Sequence, residues 1–484
     1  MNAPLVDPEK TSSPTGAPPT AAETFPFWRS VRLALKGEHH DYTALKLNHA
    51  VVLLAVPMVL EMIMESLFAV VDVFWVSHLG AEAIAVVGLT ESIMTLIYAV
   101  AMGTSIAATA IVARRIGEKE PARAAQAAGQ ILLLGVMLSA ALGIVLGFFA
   151  PQLLRLMSAS ETVIAMGSDF ARIMLGGNVT VFMIFLINAI FRGAGDAVIA
   201  MRTLWLANAL NIALGPLFIF GWGPFPEMGV TGAAVATNIG RGIGVAYQLW
   251  HLTGRPGRVR VRWPDLRPDW ALLATTLKTA GPGIAQWAIS TTSWLGLFKI
   301  LALFGSTAVA GYTIALRIMV LAWLPAWGLA NAGATLVGQN LGAGKPERAE
   351  AAVWIATKYN AIFLSVVGML FIVFARPLAG LFTQDPEVFR QASQALWVVS
   401  LGFPLFAMGM CLESAFNGAG DTATPTRLNF FCLWLGQVPI AWLLAKPLGM
   451  GATGVFIAVP VSFSILALWS GVLFKRGRWK LLKI

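Results

Sequence analysis

The chain has 484 residues, of which 57% are AVILMFWYC and 12% are charged, against roughly 45–50% and ~25% in soluble domains. With a mean hydropathy of +0.73, nearly every long stretch is apolar enough for hydrocarbon, which excludes an ordinary soluble enzyme and marks a polytopic membrane protein. The net charge of +10 implies no nucleic acid, because the cations are spread over loops facing anionic lipid rather than gathered on one patch.

Residues 1–45 interleave Pro4, Pro8, Pro14, Pro18, Pro19 and Pro26 with polar residues, the composition of a disordered cytoplasmic tail and not of a cleaved signal peptide. Apolar runs between charged or Pro/Gly-rich breaks then predict spans at 50–77, 84–113, 123–150, 163–191, 199–222 and 229–252. A second set follows at 279–304, 308–340, 351–375, 389–415, 426–447 and 452–474. The fold class is therefore an all-α membrane protein with twelve transmembrane helices. With the N-terminus inside, 25 of the 34 Lys and Arg fall on inward segments and 4 on outward ones. That bias predicts a multi-pass protein of the cell (inner or plasma) membrane with both termini cytoplasmic.

An internal repeat organises these spans. Phe191-Arg192-Gly193-Ala194-Gly195-Asp196 recurs as Phe416-Asn417-Gly418-Ala419-Gly420-Asp421, an offset of 225 that also maps Pro57 to Pro282, Gly80 to Gly305, Gly103 to Gly328, Gly117 to Gly342 and Pro121 to Pro346. Each half holds an even number of spans, so the halves are parallel repeats about an axis along the membrane normal. The predicted organisation is a tail (1–45), an N-terminal six-helix lobe (46–252), a cytoplasmic linker (253–278), a C-terminal six-helix lobe (279–475) and a basic cytoplasmic tail (476–484). Two pseudo-symmetric lobes around a cleft suit alternating access, and the protein is expected to work as a monomer in the lipid bilayer.

Carboxylates inside a membrane are costly, by about 2.5–3.5 kcal/mol each on insertion scales, and mark function. Glu61, Glu65 and Asp72 in the first span are spaced by 4 and 11 residues, within roughly 40° of one helical face. Glu91 in the second span adds a fourth acid. The offset sends the four to Gln286, Ser290, Leu297 and Leu316, so the acids belong to one half only and form a candidate cation or proton coupling site. A structural role is the alternative: Glu61, near the cytoplasmic end, suits a pair with Lys46 or a hydrogen bond to a helix. Glu413, equivalent to Asn188, is with Gln286 a candidate C-lobe polar site. Pro57 removes one helical hydrogen bond and is a candidate hinge beside Glu61.

Pro57, the run Val71-Asp72-Val73-Phe74-Trp75-Val76-Ser77-His78-Leu79-Gly80, the Phe-Arg-Gly-Ala-Gly-Asp turn, Asn211 to Phe220 and Gly229 to Thr237 together resemble the signatures of the multidrug and toxic compound extrusion (MATE) transporters, over about residues 45–475. The resemblance implies export of organic, usually cationic and amphiphilic, compounds in exchange for sodium or protons. It puts Asp72 at the coupling carboxylate, where sodium would also sit, Asn211 and Thr237 at its polar partners, and Pro57 at the bend of the first helix. One departure is Gly215, where the family commonly has Asp; a site short of one carboxylate binds sodium less well, which favours protons. No other cofactor is expected.

For the small-molecule substrate, Trp287, Trp323 and Trp327 are candidate aromatic contacts, Trp323 and Trp327 as an i,i+4 pair able to hold a flat cation. Filling gaps between helices is the alternative role. No enzyme chemistry competes: the histidines form no metal motif, and Gly342-Ala343-Gly344-Lys345-Pro346 lacks phosphate-loop spacing. The alternative function is a flippase for lipid-linked precursors with a related two-lobe architecture, against which the acidic first half speaks.

Overall fold

The structure, a computed structural model, describes residues 27–38, 40–254 and 257–482, with the side chains of Phe27, Ala69, Val70, Asp72 and Val73 outside that description. Its described regular elements are helices. The first half contains α1 (Phe27–Lys36), α2 (Leu47–Ser77), α3 (Ala81–Gly117), α4 (Pro121–Phe148), α5 (Ala150–Leu156), α6 (Glu161–Gly176), α7 (Asn178–Ala194), α8 (Ala197–Ile219) and α9 (Val230–Gly254). The second contains α10 (Trp270–Leu301), α11 (Ser306–Gly342), α12 (Pro346–Val373), α13 (Ala375–Gly380), α14 (Pro386–Ser400), α15 (Phe403–Ala419), α16 (Ala423–Asn429), α17 (Val438–Ala445) and α18 (Ala452–Lys475). A π-helical segment, Phe430–Gln437, joins α16 to α17.

Among the described residues ten helical stretches are long and apolar enough to cross a membrane, or eleven counting one bent pair. Two predicted spans differ from expectation. The tenth, 389–415, is broken into α14 and α15, which meet at 59°. Gly402 lies at the break, packed against Pro460, and Pro404 stands in the first turn of α15, where its missing N–H is no loss. The sixth, 229–252, is helical as α9 but is not among the ten, because Gly232, Gly240, Gly242, Gly244, Arg241 and Gln248 dilute its apolar residues.

Two boundaries also move. The predicted tail ends at 45, yet residues 27–36 form α1, whose Ser30 and Ala34 are buried while Trp28, Arg29 and Arg32 stay exposed. The Pro-rich composition stops at Pro26, and an amphipathic turn pattern follows that composition alone does not register. Residues 1–26 lie outside the described residues. The predicted linker, 253–278, shortens because α10 starts at Trp270, where Asp269 accepts from the N–H groups of Ala271 and Leu272 at 3.1 Å each; a helix continues past the apolar run that reveals it. Gln130 of α4 holds the linker by donating to the carbonyls of Asp265 (2.8 Å) and Arg267 (2.7 Å).

Positions 225 apart share backbone geometry. Gly80 and Gly305, before α3 and α11, have φ of 98° and 100°, and Gly195 and Gly420, after α7 and α15, both have 86°, values open to glycine and strained for other residues. Pro121 and Pro346 both open a helix. The halves meet through α3 and α11. A Cβ on Gly103 of α3 would overlap Ile284 of α10, and one on Gly328 of α11 would lie 2.6 Å from the Met58 carbonyl of α2. Both helices end on the face that carries most of the basic loops, called here the basic face.

Candidate functional site

The acids of α2 lie against α7, α8 and α9, and an arginine or amide meets each described one. Glu61 is fully buried. Its Oε1 accepts from Arg192 of α7 at 2.9 Å and from Asn188 Nδ2 at 3.0 Å, and Gln248 of α9 donates to Asn188 Oδ1 at 2.5 Å. One turn on, Glu65 Oε2 accepts from Asn208 of α8 at 3.1 Å, while its Oε1 lies 3.8 Å from Arg241 of α9. The Arg241 guanidinium also sits 5.6 Å from the centre of the Phe68 ring, a cation–π contact that suits a buried charge. Packing an ion pair this deep requires mutual neutralisation, since an isolated charge in a low-dielectric interior costs several kcal/mol.

Further along α2, Trp75 touches the position where a Cβ would stand on Gly215 of α8, at 3.6 Å. The contacts Glu65–Asn208 and Trp75–Gly215 run α2 and α8 in the same direction, so the stretch of α2 that carries Asp72 passes alongside residues 211–215. The side chain of Asp72 lies outside the described residues. At this level Asn211 donates to Thr237 Oγ1 at 2.7 Å, and both are buried. Thr237 also lines a cavity of about 20 Å³ with Thr90, Glu91, Met94, Phe170 and Met174, room for a water molecule. The buried Thr90 hydroxyl has no hydrogen-bond partner among the described residues. Glu91 lies in electrostatic reach of Arg317 on α11 and of Arg241. Among the described residues no group of three or more His, Cys, Asp or Glu is arranged to hold a metal ion.

The remaining candidates separate. Trp287 of α10 and Trp327 of α11 stack, 4.9 Å apart at 21°, within a turn of the Gly103 and Gly328 crossings. Trp323 does not join them; it packs on Phe406 (5.0 Å), Trp294 (6.0 Å) and Phe403 (6.2 Å) in the core of the second half. Four residues bring two side chains to one helical face but do not decide which neighbouring helix each meets. Glu413 of α15 and Gln286 of α10 are not joined by a hydrogen bond among the described residues, and one side-chain oxygen of each lacks a partner. Pro57 lies within α2 and, with Leu53, Leu33, Ala34, His251 and Val259, borders a cavity of about 220 Å³ on the basic face.

Sequence reasoning misses the partners. Arg192 reads as a loop cation, yet it is buried within α7, and Arg241 reads only as a charge inside a span. Each is an ionisable residue at helix depth, which by itself asks for a counter-charge; the available signal is Glu61 and Glu65 one turn apart on a single span.

The MatE family model matches residues 57–217 and 284–443, one stretch in each half. The chain belongs to the MatE family. A probable multidrug resistance protein NorM from Thermotoga maritima is 27% identical over 431 residues, covering 88% of this chain and 92% of its own. A protein named FAD transporter from Shewanella oneidensis is 26% identical over 398 residues, covering 82% and 87%. A solved structure described as the outward-facing conformation of a multidrug resistance MATE family transporter of the MOP superfamily superposes with a TM-score of 0.84 at 27% identity, covering 93% of this chain and 99% of the other. The MATE relatives are membrane transporters; positions 72 and 211 fall inside the first matched stretch, and Thr237 lies in the unmatched interval between the two.

Proposed function

We propose that this MATE protein is a secondary active antiporter that exports organic compounds in exchange for an inward flow of protons by alternating access. In this reading twelve helices form two six-helix lobes, 46–252 and 279–475, the basic face is cytoplasmic together with both termini, and the monomer works in the inner membrane. The carrying observation is the acids of α2, Glu61 met by Arg192 and Asn188 and Glu65 by Asn208 and Arg241, on a helix that passes beside the bonded pair Asn211 and Thr237, with no acid at the equivalent positions of the second half. Asp72 is the coupling carboxylate, Asn211 and Thr237 its neutral partners, and Glu65 and Glu91 charges balanced by Arg241 and Arg317. Protons are preferred to sodium because Gly215 offers no second carboxylate at this level and Glu61 and Glu65 are already met by arginine and amide groups, whereas a sodium site gathers several oxygens around one ion. The test is efflux of a fluorescent organic cation from vesicles under separately imposed proton and sodium gradients. Transport driven by the proton gradient alone is expected; transport driven by sodium alone refutes the ion assignment.

Two observations favour a second reading of the substrate. Arg241 and Arg317 lie in electrostatic reach of Glu91, so the acids of this region are not without cations, and one relative is named for FAD, an anionic dinucleotide. Export of an organic anion in the same vesicles, with none of the cation, decides for it.

Pro57 is proposed as a hinge of the first helix. Pro57→Ala restores the missing backbone hydrogen bond and is expected to leave thermal stability equal or higher while transport falls at least about twofold. Transport at the unaltered rate removes the hinge.

A further inference from the structure

On the basic face the halves are held by a second set of contacts, and these too come in pairs 225 residues apart. A Cβ on Gly117 of α3 would overlap the Gln339 carbonyl of α11, and a Cβ on Gly342 would overlap the Arg114 carbonyl of α3; 114 and 339, like 117 and 342, are equivalent positions. The two helix ends therefore cross backbone to backbone. The side chains at 114 and 339 then reach over the seam in opposite senses. Arg114, whose Nη2 also donates to the Leu482 carbonyl beyond α18 at 2.8 Å, donates to the Ala419 carbonyl of α15 at 3.3 Å, and Gln339 donates from Nε2 to the Gly193 carbonyl of α7 at 2.9 Å. Both acceptors belong to the repeated Gly-Ala-Gly-Asp turns, and both donors are buried, 7% and 1% exposed. Thr335 adds a donation to the Arg192 carbonyl at 3.1 Å.

We propose that Arg114 and Gln339 are the paired latch of the basic face: each half supplies one side-chain donor that caps the exposed helix-end carbonyls of the other, and both bonds must break before the cleft can open on that side. The donors differ in kind, one cationic and one neutral, yet perform the same task, because what the site requires is an N–H aimed at carbonyls left free at a helix C-terminus. The carbonyls need the donor only when the halves meet; apart, water satisfies them. The latch is thus specific to the closed seam. The glycines at 117 and 342 are the other half of the device, since a methyl group at either position would hold the backbones too far apart for the side chains to reach. This inference rests on the alternating-access reading above.

The test uses the full chain in sealed lipid vesicles, with nitroxide labels at Arg123→Cys and Glu347→Cys, exposed first-turn positions of α4 and α12, and electron–electron double resonance to measure the distance between them. The native Cys411 and Cys432 are buried. The double variant Arg114→Met with Gln339→Met keeps side-chain bulk and removes both donors; it is expected to raise the population with long label separation by about tenfold. Arg114→Gln places at 114 the residue that already works at 339, and should keep the short distance. Gly117→Ala with Gly342→Ala should also lengthen it. If the alanine pair opens the seam and the methionine pair does not, the latch assignment is wrong and the helix crossing alone holds the face. If an imposed ion gradient moves the distance while the methionine pair leaves it as in the unaltered chain, the latch fails and alternating access stands. A distance that no variant and no gradient changes overturns both.

Discussion

Asp72→Asn is expected to abolish gradient-driven accumulation while leaving the folded protein and downhill leakage intact. Proton coupling through one carboxylate requires that group to be charged in one state of the cycle and neutral in the other. Asn has the shape of Asp without the ability to lose a proton. For a one-to-one exchange, a gradient of one pH unit supplies about 1.4 kcal/mol per proton, enough to sustain about a tenfold substrate gradient. The Asp72→Asn variant should sustain none, a ratio near one, in vesicles where the unaltered chain reaches that limit. The same measurement on Glu65→Gln and Glu91→Gln separates coupling from charge balance. Those acids have cationic neighbours, so their loss should weaken transport without setting the ratio to one. An Asp72→Asn variant that still holds a tenfold gradient places the coupling group elsewhere, with Glu91 the next residue to examine.

Arg192→Met should be the most destabilising single change among those considered. Among the described residues it leaves the buried Glu61 of α2 bonded to the Asn188 amide alone, and removing one partner of a buried ion pair typically costs about 3–5 kcal/mol. The double variant Glu61→Gln with Arg192→Met removes the orphaned charge and should recover most of that loss, since a well-packed neutral pair of similar volume is often no worse than the ion pair. Unfolding in detergent at neutral pH, followed by circular dichroism, measures both. Single and double variants that unfold together would mean that Arg192 matters through packing and not through charge. The comparison also decides the role of Glu61, for which the sequence leaves a structural and a coupling reading open: the structure supplies a partner for the first, and transport by the double variant tests the second.

The helices are legible in the sequence because spans are long apolar runs, and the repeat is legible because turns recur. Gly80 and Gly305, or Gly195 and Gly420, carry conformations that few other residues adopt, so their spacing survives as a signature. What stays hidden depends on which helices become neighbours. Glu61 and Arg192 are far apart in the chain, and no periodicity connects them. Trp323 and Trp327 share a face of α11 yet divide between a core cluster and a stack with Trp287. The break between α14 and α15 and the π-helical stretch at Phe430–Gln437 occur inside uniformly apolar runs, where hydropathy is blind to the path of the backbone. In the candidate site the acids are visible and their arginines are not, because a carboxylate in an apolar run is conspicuous whereas an arginine near a loop is expected.

The composition of α9 bears on how the chain is made. As the sixth span of the proposed architecture it must leave the translocation machinery sideways into lipid, yet it is diluted by glycine, and Arg241 near its middle adds about 2.5–3.5 kcal/mol against that step. Its counter-charge, Glu65, is synthesised long before it and by then sits in the bilayer on α2. In that architecture insertion of α9 is expected to draw on a helix already in place, the Glu65–Arg241 contact serving assembly as well as charge balance. Neutralising Glu65 is expected to lower the yield of correctly inserted protein before transport is ever measured.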